Sequence, residues 1–346
     1  MTLTVTRADV AKRAGVSPAL VSYVLNGGPR AVSKAARTRI ESAIEELGYR
    51  PNSIAQALRG ASTRTIGLLL PSAVNRFFGE LTTAIEKELF DVGHTLAVGV
   101  SADDPERESR YIDTFLDRRV DGIMVISSHS RETLARVAHQ PTPAIVLDRV
   151  ARDLSVSSVA VDNRAGVVEA VEHLRSHGHE RIACIGGRAM TESAEERVQA
   201  WRDTLPLVHR DQEDALLTRG DFTERGGYDA TRRLLGGMAE TRPSALFVSS
   251  DIQAAGALRA CADLDIRVPE QLAIVSFDGT LSAAYSVPSI TSYRQPTSLI
   301  ARSAVQGLLD QIATPSTSPT HTLLPGRLII GSSCGCTPEL AAPLPV

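Results

Sequence analysis

The sequence predicts an N-terminal all-α helix-turn-helix head followed by an α/β body of two doubly wound parallel-sheet lobes. Three observations carry this. Residues 8–48 place apolar side chains at helical spacing and interrupt them at Gly15, at Asn26-Gly27-Gly28-Pro29 and at Gly48. From Thr65 onward, short Val/Ile/Leu runs alternate with amphipathic stretches, the pattern of a parallel sheet covered by helices on both faces. Charge also changes sign along the chain. Residues 1–62 carry nine basic against four acidic side chains, a net +5, so the remainder of a chain whose total is -3 carries -8. A basic head on an acidic body points to a polyanionic partner for the head alone.

A chain of 346 residues exceeds one ordinary core. No apolar run approaches the roughly 18 residues that span a bilayer, and MTLTVTRADV lacks the apolar core of a secretory signal. A cytoplasmic protein with no membrane partner is expected. Cys184 and Cys261 sit in apolar stretches and read as reduced core thiols. Cys334-Gly-Cys336 lacks the two-residue gap of a redox or zinc pair, so no metal is expected there.

The head reads in order. Ala8–Ala14 predicts a short helix with Val10, Ala11 and Ala14 inward, and Gly15 ends it. Ser17 offers an N-cap oxygen, and Pro18 follows at the first helical position, where its missing N–H costs nothing. Leu20, Val21 and Val24 form the inner side of this second helix. Ser33 caps a third, with Ala36, Ile40, Ala43, Ile44 and Leu47 as its stripe. Helix, tight turn, helix is the layout that sets a second helix into the major groove. Pro51-Asn52 and Gly60 bound one further helix, too short to be stable alone.

DVAKRAGVSPALVSYVLNG and VSKAARTRIESAIEELGYRPNSIAQALRG resemble the DNA-binding head and hinge of the lactose-repressor/galactose-repressor (LacI) family. The motifs D-V-A-x-x-A-G-V-S, V-S-x-V-L-N, E-L-G-Y-x-P-N and A-x-x-L-R keep their order and spacing. The resemblance implies that Pro18, Ala19 and Tyr23 face base edges and that Ser17, Ser22 and Asn26 bond phosphates. Asn52, Ala55 and Leu58 would belong to the hinge helix, where Leu58, paired with its dimer mate, wedges into the minor groove of a palindromic double-stranded operator. Two departures bear on the operator. Tyr23 stands where arginine is common, offering one hydroxyl and an apolar ring instead of a two-bond grip on guanine. Leu20 replaces a usual threonine.

In the body, TIGLLLP, TLAVGV, DGIMVIS, PAIVLD, RIACIGG, SALFVSSD and LAIVSFD predict strands. Helices are expected at residues 77–92, 106–116, 165–176, 192–205, 224–235, 254–264 and 297–312. Functional groups in such folds gather at strand carboxyl ends. There Asp148-Arg149 and Asp278 read as facing a cleft, and Asp162-Asn163 and Asp251 as helix caps. No G-x-S-x-G elbow or Walker-type phosphate loop occurs. His173 and His177 are four apart, but the stretch H-L-R-S-H lacks the glutamate of a metalloprotease helix and reads as structural. No catalytic set is expected.

RTIGLLLPSAVNRFFGEL, RRVDGIMVI, HLRSHGHERIACIGG, ERVQAW and VSFDG extend the resemblance to the LacI-family core, which is similar to periplasmic sugar-binding proteins. It implies two lobes crossed three times by the chain, with a small-molecule effector between them and no cofactor. Phe77 and Phe78 would form an apolar wall, Phe222 another ring face, Arg149, Arg197, Ser250 and Asp278 the polar contacts, and Gln295 would stand near the last crossing. Paired Asp and Arg groups suit the vicinal hydroxyls of a sugar or nucleoside. Arg76 and Ser72 depart from the common D-x-S-N-P-F-F pattern, and a cation near the mouth would favour an acidic ligand.

The expected organisation is a head at 1–49, a hinge at 50–62, a core at 63–340 and a loose tail at 341–346. Within the core, one lobe takes 63–162 and 293–323 and the other 163–292 and 324–340. The tail CGCTPELAAPLPV has no heptads, which favours a homodimer over a tetramer. The expected function is an effector-controlled transcriptional regulator of the repressor kind. The alternatives are a solute-binding protein or a purine/nucleoside-responsive regulator.

Overall fold

The computed structural model describes residues 5–26, 32–49, 62–126, 131–148, 155–189, 191–205, 213–236, 242–314 and 318–338. The chain forms two compact units, 1–63 and 64–346.

The first unit holds α1 (Arg7–Ala14), α2 (Pro18–Asn26) and α3 (Lys34–Leu47). Thr6 and Asp9 close a reciprocal capping box on α1, which starts it one residue ahead of Ala8. Gly15 (φ 66°) and Gly48 (φ 58°) end α1 and α3 in the left-handed conformation that glycine adopts without a Cβ clash. Ser33 caps α3 by accepting from the Ala36 amide. Val10, Ala11, Ala14, Val21, Ile40 and Ala43 form the buried core, and Leu20, Val24, Ile44, Leu47 and Tyr49 pack on it.

The second unit is built on two six-stranded sheets. In the first sheet the order is β11-β5-β4-β3-β1-β2, from β1 (Thr65–Leu70), β2 (Thr95–Val100), β3 (Gly122–Val125), β4 (Ala144–Leu147), β5 (Ser157–Val161) and β11 (His321–Leu324). In the second it is β12-β10-β9-β8-β6-β7, from β6 (Ile182–Gly186), β7 (Leu217–Arg219), β8 (Ala245–Val248), β9 (Ala273–Asp278), β10 (Thr291–Arg294) and β12 (Arg327–Ile329). Every pairing is parallel except β10 with β12. β3, β4, β5, β6, β8 and β9 are buried throughout. Burial on both faces explains why they read as continuous apolar runs and not as alternation.

The chain passes from the first sheet to the second after β5, back after β10 and over again after β11. The second passage thus follows Arg294 and does not precede residue 293, because Tyr293 and Arg294 are registered against Phe277 and Asp278. In each sheet the strand order reverses beside the first strand, at β1/β3 and β6/β8. Such reversals open a crevice at the strand carboxyl ends.

α4 (Arg76–Asp91) and α13 (Thr297–Ala313) cover one face of the first sheet through Leu81, Ile85, Leu89, Ile300, Ala304 and Leu308. α5 (Pro105–Asp117) and α6 (Arg131–Ala138) cover the other through Ile112, Phe115, Leu134 and Val137. The second sheet packs α7 (Asn163–Ser176), α8 (Glu192–Thr204), α10 (Glu224–Leu235) and α11 (Asp251–Asp263) around Trp201, Phe247 and Phe277; α9 (Glu213–Leu216) and α12 (Leu281–Ala284) are single turns. Among the described residues, no helix is long and apolar enough to cross a membrane.

α10 and α11 cross almost backbone to backbone. A Cβ at Gly256 would lie 1.9 Å from the Glu224 carbonyl oxygen, and one at Gly227 would lie 2.0 Å from that of Gln253. Gly256→Ala therefore lowers stability by about 3 kcal/mol in urea unfolding, the upper end of ordinary overpacking costs. Gly79, inside α4 with nothing within 4 Å of its would-be Cβ, behaves oppositely: Gly79→Ala raises stability by about 0.5–1 kcal/mol.

Candidate functional site

In the head, Ser17, Pro18 and Ala19 are exposed at the start of α2, and Ser22 and Tyr23 are half-exposed along it. The Ser17 hydroxyl accepts from the Leu20 amide at 3.3 Å, so it also caps α2. Tyr23 is absent from the head's core cluster, unlike its neighbours Leu20, Val21, Val24 and Leu25. Pro18, Ala19 and Tyr23 thus stand outside the head's apolar core. The Asn26 side chain, Asn52, Ala55 and Leu58 lie outside the described residues.

In the body, a cavity of about 430 Å³ opens where the carboxyl ends of the two sheets meet. Phe77, Phe78, Arg197, Phe222, Ser250 and Asp278 line it, with Asp148, Asn75, Ser193, Arg188 and Asp221. Arg149 lies outside the described residues. Gln295 does not line the cavity; its amide donates to Asp278 Oδ1 at 2.8 Å, so it stands behind the lining.

The floor is organised by Arg197, which is 3% exposed. Its Nε donates to Asn163 Oδ1 and its Nη1 to the Ser249 carbonyl, both at 2.8 Å. The guanidinium lies 3.9 Å from the Phe277 ring centroid. It reaches Asp278 at 3.7 Å and, across from the first sheet, Asp148 at 3.9 Å. Ser193 donates to the same Asp148 at 3.2 Å. Burial pushes the Asp278 carboxyl well above the ordinary range, while Arg197 pulls it back. Asp148 (φ 68°) and Asp278 (φ 117°) both hold left-handed backbone, which costs a non-glycine residue energy and re-aims its side chain.

The aromatic wall is equally local in origin. Asn75 caps α4 by accepting from the Phe77 amide at 3.0 Å, which sets Phe77 and Phe78 at the cavity with ring centroids 5.3 Å apart. Phe77 also packs in the core of the first sheet. Opposite, Phe222 lies over Gly187, where a Cβ would come within 2.3 Å of the ring.

Several expectations change. Asp251 is not a cap: Ser250 caps α11 and also bonds Gln253. Asp251 is buried instead and accepts from the hydroxyls of Ser276, Ser292 and Thr280 and from the Thr280 amide. It had looked like a cap because it begins a helix. Asp162 does cap α7, but its neighbour Asn163 turns inward to Glu196 and Arg197. Arg76 does not line the cavity and pairs with Glu80. Besides the buried Arg197, the described lining holds the exposed cation Arg188, bonded to Asp221 at 2.9 Å. Arg188 follows the Gly186-Gly187 strand end, the kind of position where functional groups gather in this fold.

A floor of paired carboxylate and guanidinium groups between aromatic faces can donate to and accept from the same hydroxyl-bearing ligand. The chain is similar to known proteins in sequence and fold. Residues 6–52 match the family described as bacterial regulatory proteins, lacI family, and residues 171–334 match the periplasmic binding protein-like domain. The ribose operon repressor of Escherichia coli (strain K12) is 31% identical over 315 residues, 90% of this chain and 94% of that protein. The HTH-type transcriptional repressor PurR of Klebsiella pneumoniae (strain 342) is 31% identical over 307 residues, 88% of this chain and 89% of that protein. A crystal structure of the lac repressor dimer bound to operator and the anti-inducer ONPF aligns with TM-score 0.84 at 28% identity, covering 96% of this chain and 99% of that one.

Helix-turn-helix head and two-lobed α/β body together define a DNA-binding regulator with a ligand-binding core. The chain belongs to the LacI family of bacterial regulatory proteins.

Arg197→Met leaves two carboxylates without their countercharge and should cost about 3–5 kcal/mol of stability. Adding Asp278→Asn recovers part of it. A buried acid with a raised pKa binds its proton more tightly folded than unfolded, so the Arg197→Met deficit shrinks as pH falls toward the ordinary carboxylate range. Urea unfolding against pH checks both.

Proposed function

We propose that this chain is a cytoplasmic, non-enzymatic repressor. As a homodimer it places two heads on a palindromic operator, and a sugar or sugar-like metabolite between its lobes sets operator affinity. The observation that carries the effector class is the Arg197–Asp278–Asp148 floor beneath Phe77, Phe78 and Phe222. The volume suits a small metabolite, and one relative bears the name of a ribose operon.

Pro18, Ala19 and Tyr23 read base edges in this proposal, and Ser17, Ser22 and Asn26 hold phosphates. The hinge residues Asn52, Ala55 and Leu58 act at the operator's centre, and Arg149 and Ser250 complete the effector's polar contacts with Gln295 positioning Asp278. Coupling of roughly 1–3 kcal/mol between effector and operator suffices for a 5–150-fold change in affinity.

Selection of bound DNA from a random pool, with no ligand added, tests the reader. The expected product is a palindrome with a central C-G step; an enriched site lacking two-fold symmetry overturns the dimeric reading. The selected DNA then serves as the probe for a panel of pentoses, hexoses, disaccharides, nucleosides and bases. A shift within the sugars supports the effector class, and a response confined to nucleosides or bases replaces it.

Leu58→Ala is expected to lose operator affinity while the same sugar binds undiminished in calorimetry. Unchanged operator affinity would remove the wedge from the proposal.

A further inference from the structure

The second lobe holds a cluster that neither DNA reading nor the cavity uses. His173 and His177 lie at the end of α7, one helical turn apart on one face. Cys334 and Cys336 lie in the turn that follows β12. The Cys336 sulfur is 3.2 Å from His177 Nε2 and 3.7 Å from His173 Nε2, and the Cys334 sulfur is 3.3 Å from His173 Nε2. The donor atoms of His173, His177 and Cys336 all fall within 4.8 Å of one another.

We propose that His173, His177 and Cys336, with Cys334 as fourth donor, form a zinc site that clamps the C-terminal turn to α7. Tetrahedral zinc with ordinary Zn–N and Zn–S bonds separates its donors by about 3.3–3.8 Å; the three sulfur–nitrogen separations lie in or beside that range, and the widest gap among the donors of His173, His177 and Cys336 is no more than 4.8 Å. The Cys336 sulfur approaches two imidazole nitrogens and His173 Nε2 approaches two sulfurs, so the four side chains converge on one another as a ligand set does and share protons until a metal replaces them. Two imidazoles and two thiols also select a borderline-soft ion over magnesium or calcium.

The surroundings are built to hold this geometry. Thr291 donates its hydroxyl to the Cys334 sulfur at 3.0 Å, the outer-shell contact that orients a thiolate ligand. Ser333 is pinned on both sides: its hydroxyl donates to the Ile274 carbonyl at 2.6 Å and accepts from the Thr291 amide at 2.9 Å. Gly335, between the cysteines, has φ 92°, a conformation that few other residues would hold there. The pairs Cys-x-Cys and His-x-x-x-His are each unremarkable in sequence. They become a site because β12 returns antiparallel to β10 and delivers the turn to α7.

The test uses the full chain, reduced, stripped with a chelator and titrated with zinc against a chromophoric competitor. Cobalt serves as the spectroscopic probe. One equivalent should bind, with a thiolate-to-cobalt charge-transfer band and visible bands of tetrahedral intensity. His177→Gln, at an exposed position, and Cys336→Ser should each lower zinc affinity by about 100-fold or more. His139→Ala, an exposed histidine elsewhere, should leave it unchanged. Zinc should raise the Tm of the parent chain and not that of the His177→Gln, Cys336→Ser double variant. A parent chain with no thiolate–cobalt band, or a folded double variant that binds zinc as tightly as the parent, overturns the site.

Discussion

The body of this protein is organised around one buried guanidinium. Arg197 sits where the carboxyl ends of two sheets converge, and its five contacts come from four elements. Asn163 opens α7, Ser249 follows β8, Phe277 and Asp278 end β9, and Asp148 reaches over from β4 of the other sheet. A buried cation is costly to desolvate and is tolerated only when its donors are satisfied and its charge is balanced. Two carboxylates, an amide oxygen, a carbonyl and a ring face meet those needs together. That demand explains why two aspartates at the strand ends hold a backbone conformation that side-chain-bearing residues seldom adopt.

The same arrangement makes the floor responsive. Four of the five groups around Arg197 belong to the second sheet's side of the crevice, and Asp148 alone comes from the first. Asp148 and Ser193 supply one tie between the lobes, and Glu80, which accepts from the Leu281 amide at 3.1 Å, supplies another. Among the described residues these polar contacts tie the two lobes around the cavity, so the angle between the lobes depends on them. In the proposed function, a hydroxyl-bearing ligand competes for those groups and acts on lobe closure through them. Elsewhere in the second lobe, buried Asp251 ties Ser276, Ser292 and Thr280 together and is not in the cavity lining.

Legibility followed how local each signal was. The head was readable because caps and glycine stops sit next to the stripes they bound: Ser17, Ser33, Gly15 and Gly48 mark their own helices. The central strands were readable because burial on both faces writes an apolar run. β7, β11 and β12 are half-exposed edge strands of three or four residues and leave no such run. β10 is buried but opens with Thr291 and Ser292, whose hydroxyls are committed to Gly331, Cys334 and Asp251. Polar residues chosen for buried hydrogen bonds look like loop in sequence. In the cavity, Phe77, Phe78, Phe222, Arg197 and Asp278 were found through strand ends and resemblance. The Arg188–Asp221 pair was not, since its members come from separate loops 33 residues apart.

The cluster around His173 marks the limit of such reading most sharply. Motif inspection weighs residues by their neighbours in sequence, so a histidine pair without the right glutamate and a cysteine pair with the wrong gap are each set aside. Sequence spacing, however, constrains only donors carried on one element. Donors from two elements are constrained by how those elements pack, and here 163 residues separate His173 from Cys336. What places them together is the third passage of the chain, which returns β12 to the second sheet beside β10 and across from α7. The passages that bring Asp148 opposite Arg197 and those that bring Cys336 to His177 belong to one topology. Sites of this kind appear only once the strand order is known, whatever the clarity of the motifs that contribute to them.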